Sequence, residues 1–122
     1  MTESLQKEGN HVRNSIFTAL IITFTVAVFF IAQQFFSENF CPGIRPLSIK
    51  DLYGIILYPF FHSDLSHLFS NIPPLFFLLA GTFYYLPRRF FPALLTIWLV
   101  SGGIIWIGGR TGCHLGASGI IY

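Results

Sequence analysis

Two short segments of this sequence contain the residues whose types and spacing could do chemistry. In the first, His67 and Asn71 are four residues apart, and on a helix this spacing places an imidazole and a carboxamide on one face. The second reads Gly-Ala-Ser-Gly and contains Ser118. A serine at the start of a helix, flanked by small residues, can expose its hydroxyl and a backbone N–H that binds an oxyanion. Ser118 is therefore a candidate nucleophile, although small residues also occur wherever two helices pack closely.

The composition places these residues in a membrane protein. Only 10% of the 122 residues are charged, against roughly 25% in a typical globular domain. So few charges cannot cover a soluble domain of this size, and 53% hydrophobic residues is the opposite of a disordered composition. The net charge of +2 is too small to indicate nucleic-acid binding. The length fits one compact domain.

Three stretches without a charged residue predict three transmembrane helices. They contain 24, 23 and 20 residues, and about 20 apolar residues span a bilayer as a helix. We place the spans near residues 16–36, 67–85 and 91–107. Lys and Arg accumulate in cytoplasmic loops, and four of the seven would lie on one side: Lys7, Arg13, Arg88 and Arg89. This predicts a cytoplasmic N-terminal segment, residues 1–13, with the loop before the second span outside.

The loop between the first two spans is predicted to contain a short helix. Ser48 and Asp51 have the spacing of a helix-capping pair, and the apolar stretch 52–58 stops at Pro59, as helices commonly do. Such a helix would lie in the membrane interface, although a collapsed loop would explain the same residues.

Two features bear on the surroundings of His67 and Asn71. Polar groups inside a membrane are costly and usually face a bundle interior or a water-filled cavity. Pro73 and Pro74 follow in the same span, and each proline leaves the carbonyl four residues earlier without its helical partner. Water in a cavity could satisfy those carbonyls. Hydrogen bonding between helices would explain the histidine and the asparagine equally, so both interpretations stay open.

Taken together, these motifs resemble those of the rhomboid intramembrane serine proteases, most of all the bacterial six-span form. The resemblance covers essentially the whole chain. It depends on three motifs in the expected order: His62, His67 and Asn71; Gly81; and Gly116, Ala117, Ser118, Gly119 and Tyr122. It implies an all-α, polytopic transmembrane helical bundle in a bacterial cell membrane. It also implies transmembrane proteins and the lipid bilayer as partners, and no cofactor, metal ion or nucleic acid.

The same resemblance implies a role for each residue of the site. Ser118 would be the nucleophile, at the start of a fourth span. His67 and Asn71 would donate to the oxyanion together with the Ser118 N–H. The supporting residues would be His62, Gly116, Gly119 and Tyr122, of which Tyr122 would lie against the catalytic histidine. The complete protein would hydrolyse a peptide bond in or near a transmembrane segment of its substrate.

One member of the expected site is missing, because rhomboids take their general base from a histidine of the sixth span. We therefore expect residues 1–122 to be the N-terminal part of a rhomboid-like membrane domain, inactive alone. His114, four residues before Ser118, is the alternative base within this sequence. Two other functions remain: an inactive rhomboid relative that binds membrane proteins, and a small membrane protein whose polar pairs hold its helices together.

Two cysteines, Cys41 and Cys113, both fall on the outer side of the predicted topology. Oxidation is possible there, so a disulfide could connect the first outer loop to the approach to Ser118. Two unpaired, partly buried thiols are the interpretation we favour. A metal site is not predicted, because the spacing of His62 and His67 lacks an accompanying carboxylate.

Reporter fusions test the orientation. Because Arg88 and Arg89 are expected in the cytoplasm, a reporter fused after Pro87 should show cytoplasmic activity, and one fused at Arg45 should not. Paired fusions to a cytoplasmically active reporter and to an export-dependent reporter measure this. The reverse pattern would overturn both the orientation and the outward-facing site.

Overall fold

The computed structural model describes residues 2–37 and 40–122, and this part of the chain is all-helical. It contains no strand, and its one isolated β-bridge joins Ile44 to His114. Short 3-10 helices occur at Ile49–Asp51 and Tyr58–Phe60. We number the α-helices in chain order: α1 Thr2–Gln33, α2 Gly54–Leu57, α3 Leu65–Tyr85, α4 Phe90–Gly108 and α5 Ser118–Ile121. The predicted all-α helical bundle is confirmed.

Two of the described helices, α1 and α4, are long and apolar enough to cross a membrane, judged by length and composition. Helix α3 has 21 residues and is long enough, but it is not apolar enough to belong with them. His67, Asn71 and two prolines lower the hydropathy of its first half. Many large apolar side chains on the outside of the bundle are exposed, among them Phe17, Phe24, Phe77, Phe91 and Ile104. A soluble monomer rarely exposes so much apolar surface, whereas lipid would cover it.

The first helix begins well before the span predicted at 16–36. It runs from Thr2 to Gln33, so that the charged N-terminal segment forms its first turns. Glu3 and Lys7 are four residues apart there, and a glutamate that precedes a lysine by this spacing stabilises a helix in water. The charged residues before position 16 predict the start of the membrane span. The helix itself begins earlier, at Thr2.

The helix α3 begins at a cap that its sequence indicates. The Asp64 carboxylate accepts a hydrogen bond from the His67 backbone N–H at 2.8 Å, as an N-cap residue does. The helix then continues through Pro73 and Pro74 without interruption. Because the cap fixes the first turn, His67 and Asn71 occupy defined positions one turn apart.

The core lies between α1 and α3 and continues into the start of α4 and into α5. Its buried residues are Ala19, Val26, Phe30, Leu68, Leu75, Leu79, Phe90, Ala117 and Ile120. In a bilayer such contacts stabilise the bundle through close packing, since lipid is as apolar as the side chains. Ala117 and Ile120 belong to this core, so the residues on both sides of Ser118 are fixed.

The loop between α1 and α3 forms three short helical turns instead of the single helix predicted. Ser48 Oγ donates to Asp51 at 2.6 Å, so the predicted pair interacts directly and makes no side-chain cap to the backbone. The α-helix of this stretch ends at Leu57 with Tyr58 as its C-cap, just before Pro59, as predicted. Pro59 itself lies in the following 3-10 helix, Tyr58–Phe60, in its first turn, where an N–H has no helical partner to lose.

Two tryptophans of α4 hold this loop against the bundle. Trp98 Nε1 donates to the Ile55 carbonyl at 3.0 Å, and Trp106 Nε1 donates to the Ser48 carbonyl at 3.2 Å. The Tyr58 hydroxyl donates in turn to the Trp98 carbonyl at 3.2 Å. These bonds pair polar groups that an apolar environment would leave unsatisfied, and they fix the loop relative to α4.

Cys41 and Cys113 form a disulfide, so the interpretation as two unpaired thiols is wrong. The bond joins the loop after α1 to the segment between α4 and α5, across 72 residues of sequence. Beside it, Ile44 and His114 exchange two backbone hydrogen bonds of 2.9 Å each. The cysteines therefore meet because a short backbone ladder brings their segments together, and the spacing of the cysteines does not reveal that ladder.

The disulfide predicts that the chain has no reactive thiol until it is reduced. A high-mass maleimide should add to neither cysteine of the denatured, unreduced protein and to both after reduction, which a gel shift measures. Cys41→Ser is the matched control, because it frees Cys113 and should give one adduct without reductant. Full labelling of the unreduced protein would contradict the bond and would leave the helical arrangement untouched.

Candidate active site

His67 lies in the first turn of α3, with one ring nitrogen paired and the other directed at the segment before Ser118. Its Nδ1 is 3.1 Å from Ser63 Oγ. A Cβ added at Gly116 would lie 2.7 Å from both Cε1 and Nε2 of His67. Nε2 therefore faces the Gly116 backbone, where it could donate to a group bound beside Ser118.

Asn71 is buried one turn after His67, on the face of α3 that the spacing predicts. Its Nδ2 donates to the His67 carbonyl at 2.8 Å. This bond uses one of the two N–H groups of the amide and orients the side chain. The second N–H is available to a ligand.

His62 is completely buried beside His67, and the two imidazole rings pack edge to face with their centres 5.1 Å apart. Its Nε2 accepts a long hydrogen bond from the Ala117 N–H, at 3.5 Å. Burial, reinforced by the neighbouring His67, lowers the pKa of the His62 imidazole to about 4. The ring is therefore neutral near pH 7, which suits its role as an acceptor from Ala117.

The backbone of Gly116 and Ala117 brings Ser118 to these histidines. Gly116 has a φ of +107°, a conformation that strains any other residue, and its N–H donates to the Tyr58 carbonyl at 2.9 Å. Ala117 is buried, and α5 begins at Ser118. Within the described residues, the Ser118 hydroxyl forms no hydrogen bond. The candidate nucleophile thus follows directly on a segment that contacts both imidazoles.

Gly119 and Tyr58 show how closely α5 approaches the loop. A Cβ added at Gly119 would lie 3.2 Å from the Tyr58 ring and hydroxyl, so a larger residue would require Tyr58 or α5 to shift by a few tenths of an ångström. Tyr58 is buried, and burial raises its pKa to about 12, which keeps the hydroxyl protonated as a donor. Sequence reasoning missed Tyr58, because a tyrosine before a proline in an apolar stretch has no distinctive pattern.

Two residues that the sequence singles out, His114 and Gly81, lie apart from this cluster. The His114 ring contacts the Arg110 carbonyl at 2.7 Å, so the alternative base has a partner other than Ser118. Gly81 has no atom within 4 Å of the position of an added Cβ. Tyr122, by contrast, lies one helical turn after Ser118 and donates its backbone N–H to the Ser118 carbonyl at 3.0 Å. The structure therefore brings His62 and His67 against Gly116 and Ala117. Asn71 lies one turn after His67 and is bonded to its carbonyl, and Ser118 and Gly119 follow Ala117 directly in the chain.

A cavity of about 470 Å³ opens beside His62, next to the end of α1. Its lining residues are Gln33, Gln34, Phe36, Ser37, Phe40, Pro42, His62, Ser63 and Leu115. Aromatic faces alternate there with amide and hydroxyl groups, so the cavity is polar enough to hold water. Among the described residues, no three His, Cys, Asp or Glu side chains lie close enough together to hold a metal ion.

The contact between Gly116 and His67 predicts the effect of one methyl group. Gly116→Ala should lower the free energy of unfolding by roughly 1–3 kcal/mol for the strained backbone alone, and by more because the new Cβ meets the His67 ring. Gly112→Ala is the matched control, since Gly112 also has a positive φ, +142°, but has open space beside it. Unfolding of both variants in detergent micelles, followed by circular dichroism, measures the difference. Equal destabilisation would contradict the close contact.

Comparison with known proteins assigns this chain to a family. A family model described as the Rhomboid domain matches residues 50–122. Uncharacterized proteins of Mycobacterium tuberculosis and Mycobacterium bovis are each 37% identical over 91 residues, covering 66% of this chain and 36% of theirs. One of Mycobacterium leprae is 33% identical over 91 residues, covering 66% of this chain and 34% of its own. The chain spans about a third of the length of these curated relatives. No solved structure matches it. By this match to the Rhomboid domain, the chain belongs to the rhomboid family.

Proposed function

We propose that this protein contributes the nucleophile and the oxyanion site of an intramembrane serine endopeptidase. Rhomboid proteins are generally intramembrane proteases, and transmembrane proteins in the bilayer would be the substrates. The observation that carries the proposal is the contact of Gly116 and Ala117 with the rings of His67 and His62. This contact supports a position for Ser118 near groups that could bind an oxyanion. The protein would lie in a bacterial cell membrane with its N-terminus in the cytoplasm.

The reaction would begin when Ser118 Oγ attacks the carbonyl carbon of the scissile peptide bond. Negative charge then develops on the carbonyl oxygen. Three donors would bind it: the Ser118 N–H, the Nε2–H of His67 and the second amide N–H of Asn71. Fixed dipoles of this kind stabilise charge strongly where burial excludes water. Their alignment before the substrate arrives is what would lower the barrier.

Ser63 influences which nitrogen of His67 carries the proton. Its Oγ lies 3.1 Å from His67 Nδ1 and 2.8 Å from Asp64 Oδ2, and its single proton can go to only one of them at a time. Donation to His67 places the proton of a neutral ring on Nε2. When Ser63 donates to Asp64 instead, its oxygen accepts a hydrogen bond from His67 Nδ1–H. In a neutral ring Nε2 then carries no proton, and it can donate only if the ring is protonated. Ser63 would therefore tune the His67 donor.

The Ser118 hydroxyl needs a general base to become a useful nucleophile. His62 accepts from the Ala117 N–H, and His114 contacts the Arg110 carbonyl. We therefore propose that the base belongs to a further span of a longer protein, for which the greater length of the relatives leaves room. Residues 1–122 would then be an incomplete membrane domain, with a fourth span starting at Ser118.

The proposal predicts that the chain extended through its native downstream spans cleaves a reference transmembrane substrate, and that the 122-residue chain does not. In the extended protein, Ser118→Ala should abolish cleavage. Asn71→Ala should lower kcat/KM by roughly 100- to 1,000-fold, as the loss of one oxyanion donor does. Ser101→Ala, on α4, is the matched serine control and should cleave normally. Gel analysis of the five reconstituted proteins measures how much substrate each one cleaves.

Labelling with a serine-reactive fluorophosphonate tests separately whether Ser118 is the nucleophile and whether the 122-residue chain lacks the general base. It should label the extended protein at Ser118 and leave the 122-residue chain nearly unlabelled. Strong labelling of the short chain would show that an earlier residue, His114 first, acts as the base. Equal cleavage by the extended protein and its Ser118→Ala variant would overturn the protease assignment and favour a relative that binds membrane proteins without cutting them.

A further inference from the structure

The carboxamide of Gln33, the last residue of α1, pairs with both backbone groups of His62. Gln33 Nε2 donates to the His62 carbonyl, and the His62 N–H donates to Gln33 Oε1 at 3.1 Å. The two residues are 29 positions apart in the sequence. This Gln33–His62 pair therefore joins the end of α1 to the segment just before α3.

His62 needs such a partner because it lies between two helices and belongs to neither. The 3-10 helix Tyr58–Phe60 ends before it, and α3 begins at Leu65. The residue is nevertheless completely buried, and buried backbone groups without a partner are strongly disfavoured. Without the Gln33 amide, the backbone at His62 would turn toward the neighbouring cavity, and its ring would move with it.

The ring of His62 contacts two parts of the candidate site. Its Nε2 accepts from the Ala117 N–H at 3.5 Å, and its ring packs against that of His67 with centres 5.1 Å apart. Ala117 directly precedes Ser118, and His67 faces Gly116. A shift of His62 would therefore displace the nucleophile and an oxyanion donor together.

We propose that Gln33 is a positioning residue for the Ser118 site. It would hold His62 so that the nucleophile and the His67 ring keep their relative positions. The inference rests on the proposed function, because this geometry affects catalysis only if Ser118 reacts. Gln33 would touch no reacting atom and would act entirely through His62.

The neighbouring Gln34 provides a matched control. Both amides line the cavity beside His62, but Gln34, the residue after α1, donates its Nε2 to the Phe30 carbonyl in the last turn of α1, at 3.3 Å. Methionine removes either amide and keeps a similar side-chain length. A general effect of lost polarity in the cavity would appear in both variants, whereas loss of the Gln33–His62 pair would appear only in Gln33→Met.

The first measurement needs no catalysis. The 122-residue chain has four histidines, which can be labelled with nitrogen-15 and observed by NMR in detergent micelles. Gln33→Met should shift the His62 amide and ring signals and speed exchange of that amide proton by about tenfold or more, as local opening does. The signals of His11 and His114 should stay in place, and Gln34→Met should change none. Unchanged His62 signals in Gln33→Met would overturn the inference.

The second measurement uses the complete protein. Gln33→Met should lower kcat by about 10- to 100-fold with KM unchanged, as misplacement of reacting groups does, and Gln34→Met should match the unsubstituted protein. An equal fall in both variants, or a rise in KM alone, would overturn the inference. Gln33→Asn keeps the amide but is one methylene shorter, so it repeats the test if Gln33→Met does not fold. Absence of cleavage by the unsubstituted protein, with the His62 signals responding as expected, would overturn the proposed function and leave the Gln33–His62 pair intact.

Discussion

The irregular backbone of residues 113–117 is the constraint on which the site depends. In an apolar environment every backbone N–H and carbonyl needs a partner, and this segment lies outside the helices. Its partners come from the loop between α1 and α3. Ile44 exchanges two hydrogen bonds with His114, and the Tyr58 carbonyl accepts from Gly116. The candidate nucleophile therefore takes its position from a loop that precedes it by about half of the chain.

That loop can position Ser118 only because other elements hold it in turn. The indole N–H groups of Trp98 and Trp106 bind its carbonyls from α4, and the disulfide at Cys41 ties its first part to the segment that the loop supports. The Gln33 amide holds its last part from α1. Each of these hydrogen bonds satisfies polar groups that an apolar environment would leave unpaired, so stability and site geometry depend on the same contacts.

What the sequence could predict follows from rules that act within one helix. The spacing of His67 and Asn71 predicts a shared face, and the apolar stretches without charges predict transmembrane helices, because both depend on local periodicity and hydropathy. The contacts that assemble the site join positions 29, 55 and 72 residues apart. A glutamine at the end of an apolar helix has the same sequence pattern whether its amide binds water or the backbone of His62. Such pairings are set by the packed fold and have no local signature.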